Sequence, residues 1–309
     1  MSAPARVLVT GYAGFIGQHL IAHLRSLANG PPDIIGFDLR DSPGDFTRLQ
    51  VDLTDAGATR RALEEVAPDA IVHLAGVTHS TDIQRCFAAN VLAAQNLLAT
   101  AAALPSPPIF LSIGSAAQYG IVSGGDVVVD EDTVLAATTP YGLSKAIQEQ
   151  WTRLYADTAL RVVCVRLFNV MGPGQTPQLV PATFLSQVTE ALAGKRHRIE
   201  VGNTATCRDF VDVRDVVRAL WLLLDGFRPA MNGAVYNVAS GQPVRIHDMV
   251  EAAIALGGRS IPVHVDPVRL RRVDVPSIVG CFDRLRDAVG WRPTIAWRDS
   301  LRATWNALP

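Results

Sequence analysis

Thr10-Gly11-Tyr12-Ala13-Gly14-Phe15-Ile16-Gly17 is the stretch on which the fold turns. Before it, residues 6–10 form a short apolar run that reads as a buried strand. After it, 14–27 reads as a helix. The three glycines have three separate uses in a strand–loop–helix unit. Gly11 permits a tight turn, Gly14 lets backbone approach a pyrophosphate, and Gly17 lets the helix pack closely on a sheet. The helix N-terminus adds free N–H groups and a partial positive charge, which suit an anion. A glycine triplet alone also occurs in plain structural turns. Its place between a strand and a helix at the head of the chain is what makes it a phosphate loop.

Working outward, strand-like and helix-like runs alternate. Residues 33–38 read as a second strand, 54–66 as a helix with an Asp-rich start, 70–74 as a strand and 83–103 as one long Ala/Leu-rich helix. A strand at 108–113, a helix at 140–157 and a strand at 161–168 follow. Short apolar strands alternating with helices imply a parallel sheet covered on both faces, and right-handed crossovers make it doubly wound, of the Rossmann type. After Asn169 the rhythm breaks at Gly172, Pro173, Gly174, Pro177 and Pro181, and arginines become frequent. A smaller, discontinuous α/β lobe for substrate is expected there, with 213–224 returning to the first lobe as a helix. The expected division is 1–168 with 210–238 for the dinucleotide domain, and 169–209 with 239–309 for the second lobe.

Several residues then take chemical meaning. Asp38 ends the second strand about 20 residues beyond the loop, where a carboxylate can accept hydrogen bonds from both ribose hydroxyls and repel a 2′-phosphate. NAD(H) is therefore favoured, with NADP(H) kept open by the nearby Arg40. Asp52 and Leu53 follow the third strand and are placed beside the adenine. His73-Leu74-Ala75-Gly76 ends the fourth strand, where small residues let backbone meet the cofactor. Tyr141 and Lys145 lie four apart on one helical face after Pro140. A neighbouring ammonium stabilises tyrosinate and brings a phenol, ordinarily ionising near pH 10, towards working pH. Lys145 can also hold the nicotinamide ribose. Ser115, after the fifth strand, can hold the reacting oxygen. A Tyr-x-x-x-Lys spacing by itself is common, but the loop, Ser115 and the pair together point to proton and hydride transfer on an alcohol or ketone.

Composition narrows the alternatives. The chain has 309 residues, 49% of them hydrophobic, enough for a large core. Its 28 basic and 29 acidic side chains nearly cancel, and no basic block stands out, so nucleic acid is not expected as a partner. No apolar run is read as approaching a membrane span, and the first residues run straight into a strand, so neither membrane nor signal peptide is expected. The four cysteines, Cys86, Cys164, Cys207 and Cys281, are scattered and read as plain thiols in a reducing cytoplasm. His19 and His23 sit four apart without a third ligand nearby, so no metal is expected.

Taken together, these motifs resemble the extended short-chain dehydrogenases/reductases that act on nucleotide sugars, from Val7 to about Trp305. The resemblance is carried by the Gly11/Gly14/Gly17 loop, His73-Leu74-Ala75-Gly76, Asn90-Val91, Ser115 with Tyr119-Gly120, and Tyr141 with Lys145. Arg166-Leu167-Phe168-Asn169-Val170-Met171-Gly172-Pro173-Gly174-Gln175, Arg208-Asp209-Phe210-Val211-Asp212-Val213 and Tyr236-Asn237-Val238-Ala239-Ser240-Gly241 extend it. So do Arg271-Arg272-Val273-Asp274-Val275-Pro276 and Gly290-Trp291-Arg292-Pro293. It implies that Phe15, Ile16, Asn90 and Leu167 also contact the cofactor, and that Asn169, Arg208 and Arg271 bind the nucleotide diphosphate. Guanidinium forks do suit diphosphate oxygens. Related enzymes dimerise through the helices equivalent to 83–103 and 140–157, so a two-fold homodimer is expected.

Within the family the chain looks most like the GDP-4-keto-6-deoxymannose reductases, through Ile113-Gly114-Ser115, Gly172-Pro173-Gly174-Gln175, Val201-Gly202-Asn203 and Asp266-Pro267. The family's dehydratases carry an acid between the serine or threonine and the Tyr-Gly. Here Ala116-Ala117-Gln118 offers none, which argues against dehydration. Asp38 is more typical of the epimerases, and Arg272 replaces a usual proline. Three readings follow. The first is a reductase of the C4 ketone of an NDP-4-keto-6-deoxyhexose; the second is an NAD-dependent 4-epimerase; the third is a non-catalytic dinucleotide sensor. Retention of Ser115, Tyr141 and Lys145 together disfavours the last.

Overall fold

The computed structural model describes residues 3–78, 80–121, 126–177, 179–270 and 277–308. Among them, seven parallel strands, numbered here in chain order, form the main sheet. Across it run Val235–Val238 (β11), Arg161–Leu167 (β7), Ile109–Ser115 (β5), Ala70–His73 (β4), Arg6–Thr10 (β1), Asp33–Asp38 (β2) and Thr47–Gln50 (β3). The doubly wound α/β sheet is as the sequence led us to expect. Strand order reverses at β1, with β2 on one side and β4 on the other, and a crevice opens beyond the carboxyl ends of strands at such a reversal.

The central strands are apolar throughout because both faces are covered. Val7 and Val9 point one way, with Val72, Leu111, Val163 and Val165, into a layer built by Leu20 and Leu24 of the helix Phe15–Arg25 and Val216, Leu220 and Leu223 of Val213–Asp225. Leu8, Ile71, Phe110 and Val162 point the other way, onto Leu63 of Ala56–Val66 and Leu97, Leu98 and Ala101 of Ala93–Ala103. The helix expected at 213–224 thus does return to the first sheet, against Phe15–Arg25. Trp291 locks it there: fully buried, it donates its indole N–H to Asp215 O.

A second sheet is centred on Cys207–Asp212 (β10). Pro243–Arg245 (β12) pairs with it antiparallel, while Asn169–Met171 (β8) and Ser277–Gly280 (β14) pair with it parallel. Asp126–Val129 (β6) then pairs with β14. Ile199–Val201 (β9) and Val263–Val265 (β13) form a separate parallel ribbon. Two strands cut across the division drawn from the sequence. β6 lies within 1–168 yet belongs to the second sheet, and β10 runs through residues 209 and 210 without a break.

Local boundaries moved for identifiable reasons. The helix expected from residue 54 begins at Ala56, because the Asp55 carboxylate accepts from Gly57 N and Ala58 N and so caps it. The stretch 140–157 is α-helical over Pro140–Arg153 and tightens to a 3₁₀ turn at Leu154–Asp157. The stretch 83–103 is not uniform: a π-helical segment, Phe87–Leu92, separates Ile83–Cys86 from Ala93–Ala103. Ile83–Ala103 also departs from the expectation that no apolar run approaches a membrane span, since it is 21 residues long and contains an 18-residue window with a mean hydropathy of 1.3. Its apolar character has a use inside the protein, because Ala93, Leu97, Leu98 and Ala101 pack on the sheet.

The junction of the two sheets is held by Asp209 in β10. Its Oδ1 accepts from Ser240 N and Ser240 Oγ, both at 2.7 Å, and its Oδ2 accepts from Gly241 N at 2.9 Å and Gly280 N at 3.1 Å. Burial raises its pKa against the pull of these four donors. Asp209→Asn would turn an NH₂ group onto N–H donors and should cost about 3 kcal/mol, the scale of losing one buried charged acceptor. Chemical denaturation of the two proteins measures it, and an unchanged midpoint would show that the carboxylate does not hold the junction.

Candidate active site

The ends of β1, β2, β4 and β5 build the site. At the end of β1, Gly11 has φ +71°, and a Cβ there would come within 2.7 Å of Ala75 N, at the end of β4. A Cβ on Gly17 would lie 2.4 Å from Gly11 O. Gly14 occupies the N-cap of Phe15–Arg25 with no side-chain cap, while Phe15 and Ile16 are half-buried in the first turn. Backbone packed this closely, beside a helix N-terminus without a side-chain cap, fits a dinucleotide pyrophosphate.

Asp38 at the end of β2 is only 9% exposed. Its Oδ2 accepts from Ala13 N at 3.1 Å and its Oδ1 from Arg40 N at 3.0 Å. The Arg40 guanidinium stands 3.8 Å away and is largely exposed. Beside it lies a recess of about 210 Å³ lined by Tyr12, Arg40, Asp41, Arg48 and Gln50. Tyr12 and Arg48 had not been singled out from the sequence. Asp52, expected beside the adenine, is exposed and closes a local turn: its Oδ1 accepts from Thr54 N at 2.9 Å and Thr54 Oγ1 at 2.7 Å. Leu53 packs inward, as does Leu167 at the end of β7. Leu74 and Ala75 are half-buried where β4 ends.

At Gly76 the backbone takes φ +157°, and a Cβ there would meet Asn90 Oδ1 at 2.4 Å and Lys145 Nζ at 3.6 Å. Asn90 is fully buried in the π-helical segment. Its Oδ1 accepts from Val77 N, and its Nδ2 donates to Val77 O and, at 2.9 Å, to Ser144 Oγ. The local widening of the helix therefore ties the end of β4 to the helix Pro140–Arg153. That helix starts where Thr139 Oγ1 accepts from Gly142 N and Pro140 fills the first turn.

Tyr141, Lys145 and Ser115 converge as expected. Ser115, at the end of β5, lies close enough to the Tyr141 phenol to act on its ionisation. One turn on, the buried Lys145 donates to Ile113 O at 2.9 Å and to Gln148 Oε1 at 2.8 Å. The electrostatics differ from the sequence-based expectation of a lowered Tyr141. Burial pushes the Tyr141 phenol up, Ser115 opposes this, and the Cys86 thiol adds to it. Burial pushes Lys145 down to about 7. His73, deep beneath the site, is pushed down to about 3 by burial and by Lys145, and its Nδ1 lies 2.8 Å from Thr10 Oγ1.

On the second lobe, Asn169 Nδ2 donates to Asp209 O, which places Asn169 in β8 next to the β10 residue that follows Arg208. Arg208 Nη1 donates to its neighbour Cys207 O. Arg271 and Arg272 lie outside the described residues. Of the two histidines, His19 Nε2 meets Pro173 O at 2.8 Å, while burial and Arg218 lower the pKa of His23.

The match to known proteins follows this geometry. The family model for the NAD dependent epimerase/dehydratase family covers residues 7–239, from β1 to just past β11. The chain belongs to that family. It is 34% identical to the GDP-6-deoxy-D-mannose reductase of Pseudomonas aeruginosa, over 96% of this chain and 95% of that one. Among solved structures, RMD from Pseudomonas aeruginosa complexed with NADPH superposes with a TM-score of 0.83 at 30% identity, covering 98% of each chain. The Thermus thermophilus UDP-glucose 4-epimerase complexed with NAD superposes with 0.85 at 29% identity, again over 98% of each. The extended short-chain dehydrogenase/reductase expected from the sequence is what the chain is.

The Lys145 value has a consequence for stability. Folded, the ammonium loses its proton near 7; unfolded, it does so at its ordinary 10.5. Between those values the unfolded chain holds the extra proton, so the Lys145 contribution to stability rises with pH across that window. Relative to Lys145→Met, the unaltered protein should gain melting temperature as pH is raised from 7. Parallel curves for the two proteins would show that Lys145 titrates as an ordinary lysine.

Proposed function

We propose that this NAD(P)-dependent nucleotide-sugar enzyme is a reductase of the C4 ketone of an NDP-4-keto-6-deoxyhexose, with a GDP-linked sugar favoured. The observation that carries the chemistry is the approach of Ser115 to the Tyr141 phenol, with the buried Lys145 one helical turn away. Similarity to a GDP-6-deoxy-D-mannose reductase over nearly the whole chain supports the direction and the base. Ala116-Ala117-Gln118 leaves no acid for a dehydration. When bound, the reduced nicotinamide supplies the hydride. Ser115 holds the ketone oxygen, and Tyr141 gives that oxygen its phenolic proton as charge develops there. A phenol raised by burial keeps its proton until that moment, which suits an acid. Lys145 stabilises the tyrosinate left behind and holds the ribose.

The glycine loop would carry the pyrophosphate, with Leu74, Ala75, Gly76 and Asn90 along the nicotinamide half. Asn169, Arg208 and Arg271 would grip the diphosphate of the sugar nucleotide from the second lobe, which we draw as 169–209 with 239–309 and β6 added. NAD(H) is preferred because the Asp38 carboxylate would face a 2′-phosphate, while Arg40 and Arg48 lend that phosphate two cations and keep NADP(H) usable. Arg40→Ala should therefore weaken NADPH binding by about tenfold, one charged contact, and leave NADH nearly unchanged. Equal losses for both would remove Arg40 from the choice.

The second reading, a 4-epimerase, is favoured by Asp38 and by the likeness to the Thermus thermophilus enzyme. NAD⁺ retained through purification would support it; a protein that needs added NAD(P)H would support the reductase. Ile83, Phe87, Leu143, Trp151 and Leu154 are exposed on two adjacent helical segments, which supports a two-fold dimer through a four-helix interface. The free thiols fit a cytoplasmic setting.

Tyr141→Phe removes one hydroxyl and little volume. Turnover of GDP-4-keto-6-deoxymannose should fall by about two to four powers of ten, with dinucleotide affinity retained. Turnover within a few-fold of the unaltered protein would overturn Tyr141 as the proton donor.

A further inference from the structure

Gln118 stands where the family's dehydratases need an acid nearby, yet it is fully buried and both ends of its amide are engaged. Its Oε1 accepts from Ser115 N at 2.7 Å, and its Nε2 donates to Glu149 Oε2 at 2.8 Å. A carboxylate only accepts, so Glu149 dictates which way round the amide sits. Ser115 returns the contact, its Oγ accepting from Ala117 N at 3.2 Å, and the reciprocal pair closes a capping box over Ala116–Gln118. One lone pair of the Ser115 hydroxyl is thereby spent on the turn. Its proton and remaining lone pair are left for Tyr141 and for a substrate oxygen.

The far end of Gln118 is anchored as firmly. Glu149 and Arg166 are both buried and meet in a fork, Nε to Oε2 at 2.8 Å and Nη2 to Oε1 at 2.7 Å. Arg166 Nη1 donates to Tyr119 OH at 2.9 Å and to Glu131 O at 3.1 Å. Tyr119 OH lies 2.7 Å from Asn237 Oδ1, and Asn237 Nδ2 reaches Val129 O and Cys281 O beside the second sheet. A packed, hydrogen-bonded chain thus runs from the Ser115 turn through the main sheet to the second lobe.

We infer that Gln118 is a positioning residue for the reaction: by bridging Ser115 N to the Glu149–Arg166 pair, it holds the Ser115 hydroxyl in register with Tyr141. The inference rests on Ser115 acting as proposed above. It also explains why an amide stands here. A glutamate at 118 would face the Glu149 carboxylate in a buried place. When protonated it would copy Gln118, its C=O accepting from Ser115 N and its O–H donating to Glu149; when ionised it would repel Glu149 and open the turn. Burial and Glu149 both raise the pKa of such a group, whereas Arg166, with Tyr119 beside it, would oppose them with a fork already spent on Glu149. Lys145, on the same helix as Glu149, is turned towards Ile113 O and Gln148.

The test uses Gln118→Met, Gln118→Glu, Ser115→Ala and the double variant Ser115→Ala/Gln118→Met. Each is assayed as full-length protein on the substrate the unaltered enzyme turns over: GDP-4-keto-6-deoxymannose with reduced dinucleotide for a reductase, or UDP-glucose for an epimerase. Gln118→Met should lower kcat by about 10- to 100-fold, the cost of a misplaced catalytic group, with KM and dinucleotide affinity nearly unchanged. In the Ser115→Ala background the same change should cost nothing more, because the group it positions is gone. Gln118→Glu should match the unaltered enzyme at low pH and lose kcat as pH rises through a step the unaltered enzyme lacks; this arm stands even if Gln118→Met does not fold. A fully active Gln118→Met, multiplying losses in the double variant, or superimposable pH profiles for Gln118→Glu and the unaltered enzyme would each overturn the inference. An active Ser115→Ala would instead sink the role of Ser115 itself and take this inference with it.

Discussion

The Glu149–Arg166 ion pair is the constraint on which the site depends. It joins the helix that carries Tyr141 and Lys145 to strand β7, at a place where neither charge reaches water. A buried pair repays its desolvation only when the remaining donors and acceptors are also used. Here they are: Gln118 takes a lone pair of Glu149, and Tyr119 and Glu131 O take the third nitrogen of Arg166. The Arg166 guanidinium also lies over the Tyr119 ring, 4.9 Å from its centroid. Removing one member would leave the others as unpaired polar groups in a dry interior, so the network holds as a unit.

This arrangement sets the register of three strand ends. β5 delivers Ser115, β7 delivers Leu167 and the approach to Asn169, and β4 delivers Gly76, which nearly touches Asn90 and faces Lys145. The glycine there is a matter of space as well as of backbone conformation, since at φ +157° a Cβ would meet the Asn90 carboxamide at 2.4 Å. The π-helical turn at Phe87–Leu92 is the matching adjustment on the other side. It brings Asn90 to Val77 and to Ser144, and so closes the wall of the site between the β4 end and the helix Pro140–Arg153.

Burial then tunes the groups in opposite senses. A phenol and an ammonium in the same dry place both move towards their neutral forms, the first upwards and the second downwards. Lys145 is therefore poised between neutral and charged near pH 7, while Tyr141 keeps its proton. The sheet beneath contributes a neutral His73 rather than a competing charge.

Much of this was legible in the one-dimensional chain. The strand–loop–helix setting of Gly11, Gly14 and Gly17 decides a doubly wound sheet, because backbone can reach a pyrophosphate only at such a place and side-chain periodicity follows from burial on two faces. The i,i+4 spacing of Tyr141 and Lys145 is a local property of a helix, and so it too is written in the sequence. What the tertiary structure alone decided involves partners far apart in the chain. The pairing of β6 with β14, the binding of Asp38 to the Ala13 amide, and the Gln118–Glu149–Arg166 chain are of this kind. Read beside the dehydratases, Gln118 is only one of three residues, Ala116-Ala117-Gln118, that offer no acid. Only packing revealed it as a contact, because whether a buried amide is satisfied depends on which strand end and which helix the fold brings against it.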